Sequence, residues 1–145
     1  MKNMRGWCAA LLLVCTAAVG AQERPYQDGP VAEVTSVKVV DGQFENYMEY
    51  LGKTWRQVME ESKAAGVVLE YHVMEAQAHS PDEPDLYLVV MYPNMAAFDD
   101  MEKKTDPINA KVTKMTVKQQ DEASGKRTAM RTLLGTQMMR ELVFK

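Results

Sequence analysis

The residues best suited to chemistry are Glu70, His72 and Met74, which alternate with Leu69, Tyr71 and Val73 in an apolar stretch. Successive side chains of a strand point to opposite faces, so this alternation places a carboxylate, an imidazole and a thioether on one face. An imidazole beside a carboxylate can serve as a general base near neutral pH, as a haem ligand or as a metal ligand. It can equally be a packed, hydrogen-bonded histidine at an interface. His79 lies seven residues on, beside the loop Ser80-Pro81-Asp82-Glu83-Pro84. That spacing does not make a metal site, and no cluster of His, Asp and Glu supports one.

Two cations fall within apolar alternation as well. Lys38 sits between Val37 and Val39, and Arg140 alternates with Met138, Leu142 and Phe144. Lys38 can bind an anionic ligand or snorkel to the sheet edge. Arg140 calls for a carboxylate, either a protein one, such as Glu70 or Glu141 of a second copy, or that of a ligand. The candidate set is therefore His72 as base, with Glu70, Lys38, Arg140 and Met74 as ligand contacts. No G-x-S-x-G elbow and no glycine-rich phosphate loop is present, which argues against a serine hydrolase and a nucleotide-binding protein.

Periodicity identifies the elements that hold these residues. Val31 to Val40 is rich in β-branched residues and reads as a strand ended by Asp41-Gly42, with Asp41 placed to cap the helix after it. Phe44, Tyr47, Met48, Leu51, Trp55, Val58, Met59 and Ser62 form the apolar stripe of that amphipathic helix. Gly66 is placed as its left-handed C-terminal cap. Gly52 inside the helix costs about 1 kcal/mol relative to Ala, through a close backbone approach or as a tolerated imperfection.

Val67 to Ala78 and Leu86 to Tyr92 read as two further strands joined as a hairpin, the first carrying His72. Asn94 caps a short helix with Met95, Phe98 and Met101, and Thr105-Asp106-Pro107 predicts a fresh helix start. Ile108, Val112 and Met115 give that helix its stripe, and Gly125 ends the region. Residues 126–136 are mixed, and Gln137 to Phe144 is the last strand. The order β-α-β-β-α-β specifies an α+β, ferredoxin-like antiparallel sheet with helices on one face.

Both faces of that sheet are apolar. Leu86, Leu88, Val90 and Tyr92 oppose Tyr87, Val89 and Met91 on the third strand, and Met139 and Val143 oppose Met138, Leu142 and Phe144 on the last. A face without helices should alternate to polar residues if it met water. The economical cover in a short chain is the same sheet of a second copy, so a homodimer with a cavity for a small apolar ligand is expected.

The N-terminus places this domain outside the cytoplasm. Lys2 and Arg5, an apolar run from Trp7 to Val19, and Val19-Gly20-Ala21 have the order of a secretory signal cleaved after Ala21. Residues 1–21 are thus a signal peptide, 22–30 an extended lead-in and 31–145 one domain, periplasmic or secreted. Cys8 and Cys15 both lie in the signal, leaving no disulfide and no thiolate chemistry. Loss of Lys2 and Arg5 moves the formal charge from −3 to −5. Such an acidic domain without a basic stripe is a poor partner for nucleic acid or anionic membranes, and no later stretch could insert in a bilayer. Ten dispersed methionines read as adaptable core filling, whereas a copper site would want them clustered.

The chain resembles members of the dimeric α/β-barrel superfamily, and more closely a group of uncharacterised exported bacterial proteins. The resemblance covers most of residues 31–145. It rests on Val37-Lys38-Val39 leading through Asp41-Gly42 into Phe44–Trp55, on Tyr92-Pro93-Asn94-Met95-Ala96-Ala97-Phe98, and on Leu134-Gly135-Thr136-Gln137-Met138-Met139-Arg140-Glu141-Leu142. That superfamily includes antibiotic-biosynthesis monooxygenases, haem-degrading enzymes, chlorite dismutases, muconolactone isomerases and stress proteins. It implies a dimer cavity for a small apolar molecule and leaves open a cofactor-independent monooxygenase or isomerase, or a haem protein using His72. The residues themselves call for no cofactor.

Overall fold

A computed structural model describes residues 23–145 of the chain. The signal peptide read at residues 1–21 lies outside the described residues. Strands β1 (Tyr26–Val39), β2 (Glu70–Glu75), β3 (Leu86–Tyr92) and β4 (Arg131–Phe144) form one antiparallel sheet in the order β2-β3-β1-β4. This is the α+β, ferredoxin-like arrangement expected from the sequence. No helix among the described residues is long and apolar enough to cross a membrane.

The helical face buries the core. Val37, Val39, Leu86 and Leu88 of the sheet meet Tyr47 and Leu51 of the first helical segment. Val90 and Tyr92 pack with Val68, Met59, Phe98 and Met101. The strand alternation is why: Leu86, Leu88, Val90 and Tyr92 are all buried, with half-exposed residues between them.

The first helix runs without interruption as α1 (Phe44–Tyr50), a π turn (Leu51–Trp55) and α2 (Arg56–Ala64). Asp41 does not cap it. Gly42, at φ 75°, completes a turn in which Gln43 N–H donates to Val40, and Gln43 becomes the N-cap residue. Gly66, at φ 73°, closes the other end as expected. Gly66 N–H donates to the Lys63 carbonyl at 3.0 Å and Val67 N–H to the Ser62 carbonyl at 2.9 Å, the paired bonds of a Schellman cap. Those bonds occupy Val67, so β2 starts only at Glu70.

Three further boundaries differ from the sequence reading. Pro107 does not start a helix; it lies inside α3 (Met101–Thr113), where it removes one amide donor on an exposed side. Lys114, left-handed at φ 57°, then ends α3. A capping box of Thr116 and Gln119 starts a separate helix, α4 (Val117–Lys126). Strand β4 begins at Arg131, six residues earlier than expected, because a bulge opposite Ser36 and Val37 absorbs Leu134 and lets the ladder pass Gly135. Strand β1 likewise begins at Tyr26, within the expected lead-in, and pairs with the end of β4.

Candidate functional site

The face of the sheet away from the helices is uncovered among the described residues, and the strand registers order its side chains in three rows. Glu70, Met91, Ala32 and Met139 form the first; His72, Val89, Val34 and Gln137 the second; Met74, Tyr87, Ser36 and Gly135 the third. The centre, on β1 and β3, is apolar and half-exposed. Polar groups sit at the rim, with Glu70 and His72 on edge strand β2 and Gln137 on edge strand β4.

Glu70, His72 and Met74 thus share one face, as their alternation predicts. His72 Nε2 lies 3.7 Å from Glu70 Oε2, with both side chains more than half exposed. That is an approach of opposite charges when His72 is protonated, and too long for a hydrogen bond. The imidazole is poised at the rim, with no buried polar partner of its own. No group of three or more His, Cys, Asp and Glu that could hold a metal occurs among the described residues.

The two cations do not join it. Lys38 falls on the uncovered face by alternation, but its Nζ donates to Asp85 Oδ1 at 2.9 Å, while Asp85 Oδ2 accepts from the Val39 amide at 2.8 Å. This clip ties the end of β1 to the start of β3. Partial burial alone would raise the Asp85 pKa, but the Lys38 hydrogen bond, the Val39 amide and the Lys38 charge outweigh it, and the carboxyl is held below its usual range. Arg140 pairs across β4 with Val31, whose side chain faces the helices, so Arg140 is on the side opposite His72. Its carboxylate is Asp28 of the same chain, at 2.8 Å. Extension of β1 back to Tyr26 supplies that partner.

Two buried phenols complete the titratable groups near the core. Burial pushes the Tyr47 hydroxyl up, against the opposing charge of Arg131 beside it. Burial and the neighbouring Glu33 carboxylate push Tyr92 up further. Both stay protonated near neutral pH and cannot act as bases there.

A concavity on the helical side is formed by residues that the sequence pattern does not join. A cleft of about 600 Å³ runs between the first helix and the α3–α4 pair, with Trp55, Tyr50 and Arg127 in its wall. Trp55 and Tyr50 lie in or beside the core stripe, and Trp55 does pack edge-on against Tyr71 at 5.4 Å. Gly52, also in the π turn, is exposed on the outer side of the helix and does not line the cleft, and no sequence signal marked the cleft.

No protein-family model matches the chain, and no curated protein sequence does. Solved structures similar to it include HapK from Hahella chejuensis, at TM-score 0.52 and 13% identity over 77% of this chain and 91% of HapK. Another is a dimeric ferredoxin-like protein from an uncultured marine organism, at TM-score 0.50 and 8% identity over 82% of this chain and 90% of the other. At these identities the likeness establishes the ferredoxin-like fold.

Proposed function

We propose that this protein is exported and works as a homodimer, closing the uncovered faces of two sheets on each other around a small apolar molecule. The observation that carries this reading is the apolar centre of that face, where the strand registers set Ala32, Val34, Tyr87, Val89 and Met91 side by side, each half-buried in the single chain. A contiguous apolar face of this kind marks an interaction surface. The dimeric state stated for the ferredoxin-like structural neighbour supports a dimer here. Export rests on the order of charge, apolar run and small residues in 1–21.

The test is native mass spectrometry of the protein recovered from the cell envelope. A dimer starting at Gln22, with a small molecule released on denaturation, is the expected result. A monomer that binds nothing overturns the proposal. His72 with Glu70 beside it favours a second reading, base catalysis in that cavity. A haem carried in the cavity would use His72 as its nitrogen ligand, and a Soret band in the recovered protein is its signature.

A further inference from the structure

The cleft on the helical side has an electrostatic character unlike the rest of the chain. The protein as a whole is acidic, yet among the residues lining this cleft are Lys53 and Arg127 and no Asp or Glu. Lys53 is engaged by Glu49, one helical turn earlier on the exposed side. Arg127 has no ion pair among the described residues. Its guanidinium lies over the Tyr50 ring, 4.5 Å from the centroid, and its Nε is buried without a hydrogen-bond partner. A buried donor is almost always satisfied, so this nitrogen marks the guanidinium as uncommitted; its two Nη nitrogens, which make no hydrogen bond among the described residues and are not buried with Nε, are the ones an acceptor entering the cleft meets.

The rest of the wall indicates what that acceptor is attached to. Trp55 and Tyr50 offer aromatic surface, and Val58, Met59 and Val112 offer aliphatic surface. The π turn Leu51–Trp55 widens the first helix where Thr54 and Trp55 meet the cleft. The volume is within the range of small-molecule sites. A single uncommitted cation suits one planar anionic group, and the guanidinium fork fits a carboxylate in two-point contact.

We propose that this cleft binds a small carboxylic acid with a planar apolar body, with Arg127, held over the Tyr50 ring, taking the carboxylate and Trp55 flanking the body. The site is separate from the sheet face and belongs to each protomer alone.

The test is calorimetric titration of the full chain with trans-cinnamate and, as its uncharged counterpart, cinnamamide. Cinnamate should bind once per protomer and at least about tenfold more tightly than the amide. Arg127→Gln should abolish that preference. Ala123→Phe, which fills the α4 side of the cleft and leaves Arg127 in place, should weaken both probes. Circular dichroism shows whether each variant is folded, and the acid–amide comparison on the unaltered chain needs no variant at all. Equal affinity for acid and amide, no saturable heat at millimolar cinnamate, or cinnamate binding unchanged in folded Arg127→Gln overturns the proposal.

Discussion

Val89→Asp tests the sheet-to-sheet assembly at its centre. Val89 lies between His72 and Val34 in the middle row of the uncovered face and is half-exposed in the single chain. Four strands about 4.8 Å apart and six residues at about 3.3 Å each give roughly 400 Å² of projected face per copy. Two such faces total roughly 800 Å² of flat projection, which falls below the about 1,200–2,000 Å² of stable interfaces until side-chain relief is added. The pairing therefore has little surplus free energy to absorb damage. In the separate protomer the new carboxylate stays in water, and an Asp in a strand costs about 1 kcal/mol. In the dimer it is buried, and the one group in its row able to carry positive charge is His72, a cation only when protonated; burial of the carboxylate costs several kcal/mol. An interfacial loss of about 3 kcal/mol or more weakens association more than about 100-fold. Sedimentation velocity across a micromolar concentration series should show wild type as a dimer and Val89→Asp as a folded monomer that melts a few degrees lower. A wild-type monomer throughout that series, or a Val89→Asp dimer of wild-type affinity, refutes the reasoning.

Asp85→Asn should destabilise the fold by about 1–2 kcal/mol, since it removes charge-assisted bonds to Lys38 and Val39 at a site that is still partly solvated. Because the folded Asp85 pKa is lowered, its contribution is present above the unfolded value near about 3.9 and is lost as pH falls through the folded one. Denaturation melts between acid and neutral pH should therefore show less acid sensitivity in the Asn variant than in wild type. His72→Gln should change stability by less than about 0.5 kcal/mol, because its side chain is mostly exposed and makes no hydrogen bond within the chain. A larger loss in a urea titration would show a structural role for the imidazole. Gly52→Ala should raise stability by up to about 1 kcal/mol, as the added methyl meets nothing within 4 Å; a fall in melting temperature would show that the π turn requires glycine.

The order of strands and the face assignments were legible because they rest on period two. The alternation of Leu86, Leu88, Val90 and Tyr92 with Tyr87, Val89 and Met91 sorts β3 correctly, and Glu70, His72 and Met74 emerge on the side opposite Tyr71 and Val73. Gly66 was legible because a left-handed cap needs glycine. Boundaries that depend on pairing were not. Gly135 reads locally as the end of a loop, yet β4 runs through it because β1 offers a partner on the other side of a bulge. Pro107 reads as a helix start, yet Met101–Thr113 accommodates it where one missing amide bond faces water. The partner of Arg140 was hidden for the same reason: Asp28 is 112 residues away and reaches it only because β1 extends to Tyr26.

The helical cleft was hidden for a different reason. Its wall takes Tyr50, Trp55 and Val58 from one helix and Val112 and Arg127 from the two sides of a break at Lys114. A periodicity assigns apolar residues to a stripe but does not say that the neighbouring helices stand apart along part of it. The sheet face and the cleft also point opposite ways: the first is uncovered in the single chain, whereas the second is formed by a single protomer. Pairing through Val89 and Met91 leaves Arg127 facing outward, so a dimer would present two clefts independent of the cavity it encloses. Disrupting the pairing and disrupting the cleft should consequently be additive. Val89→Asp should leave the acid–amide preference intact, and Arg127→Gln should leave the sedimentation behaviour intact. If cinnamate binding instead disappears together with the dimer, the cleft takes its shape from the second copy, and the two sites are parts of one.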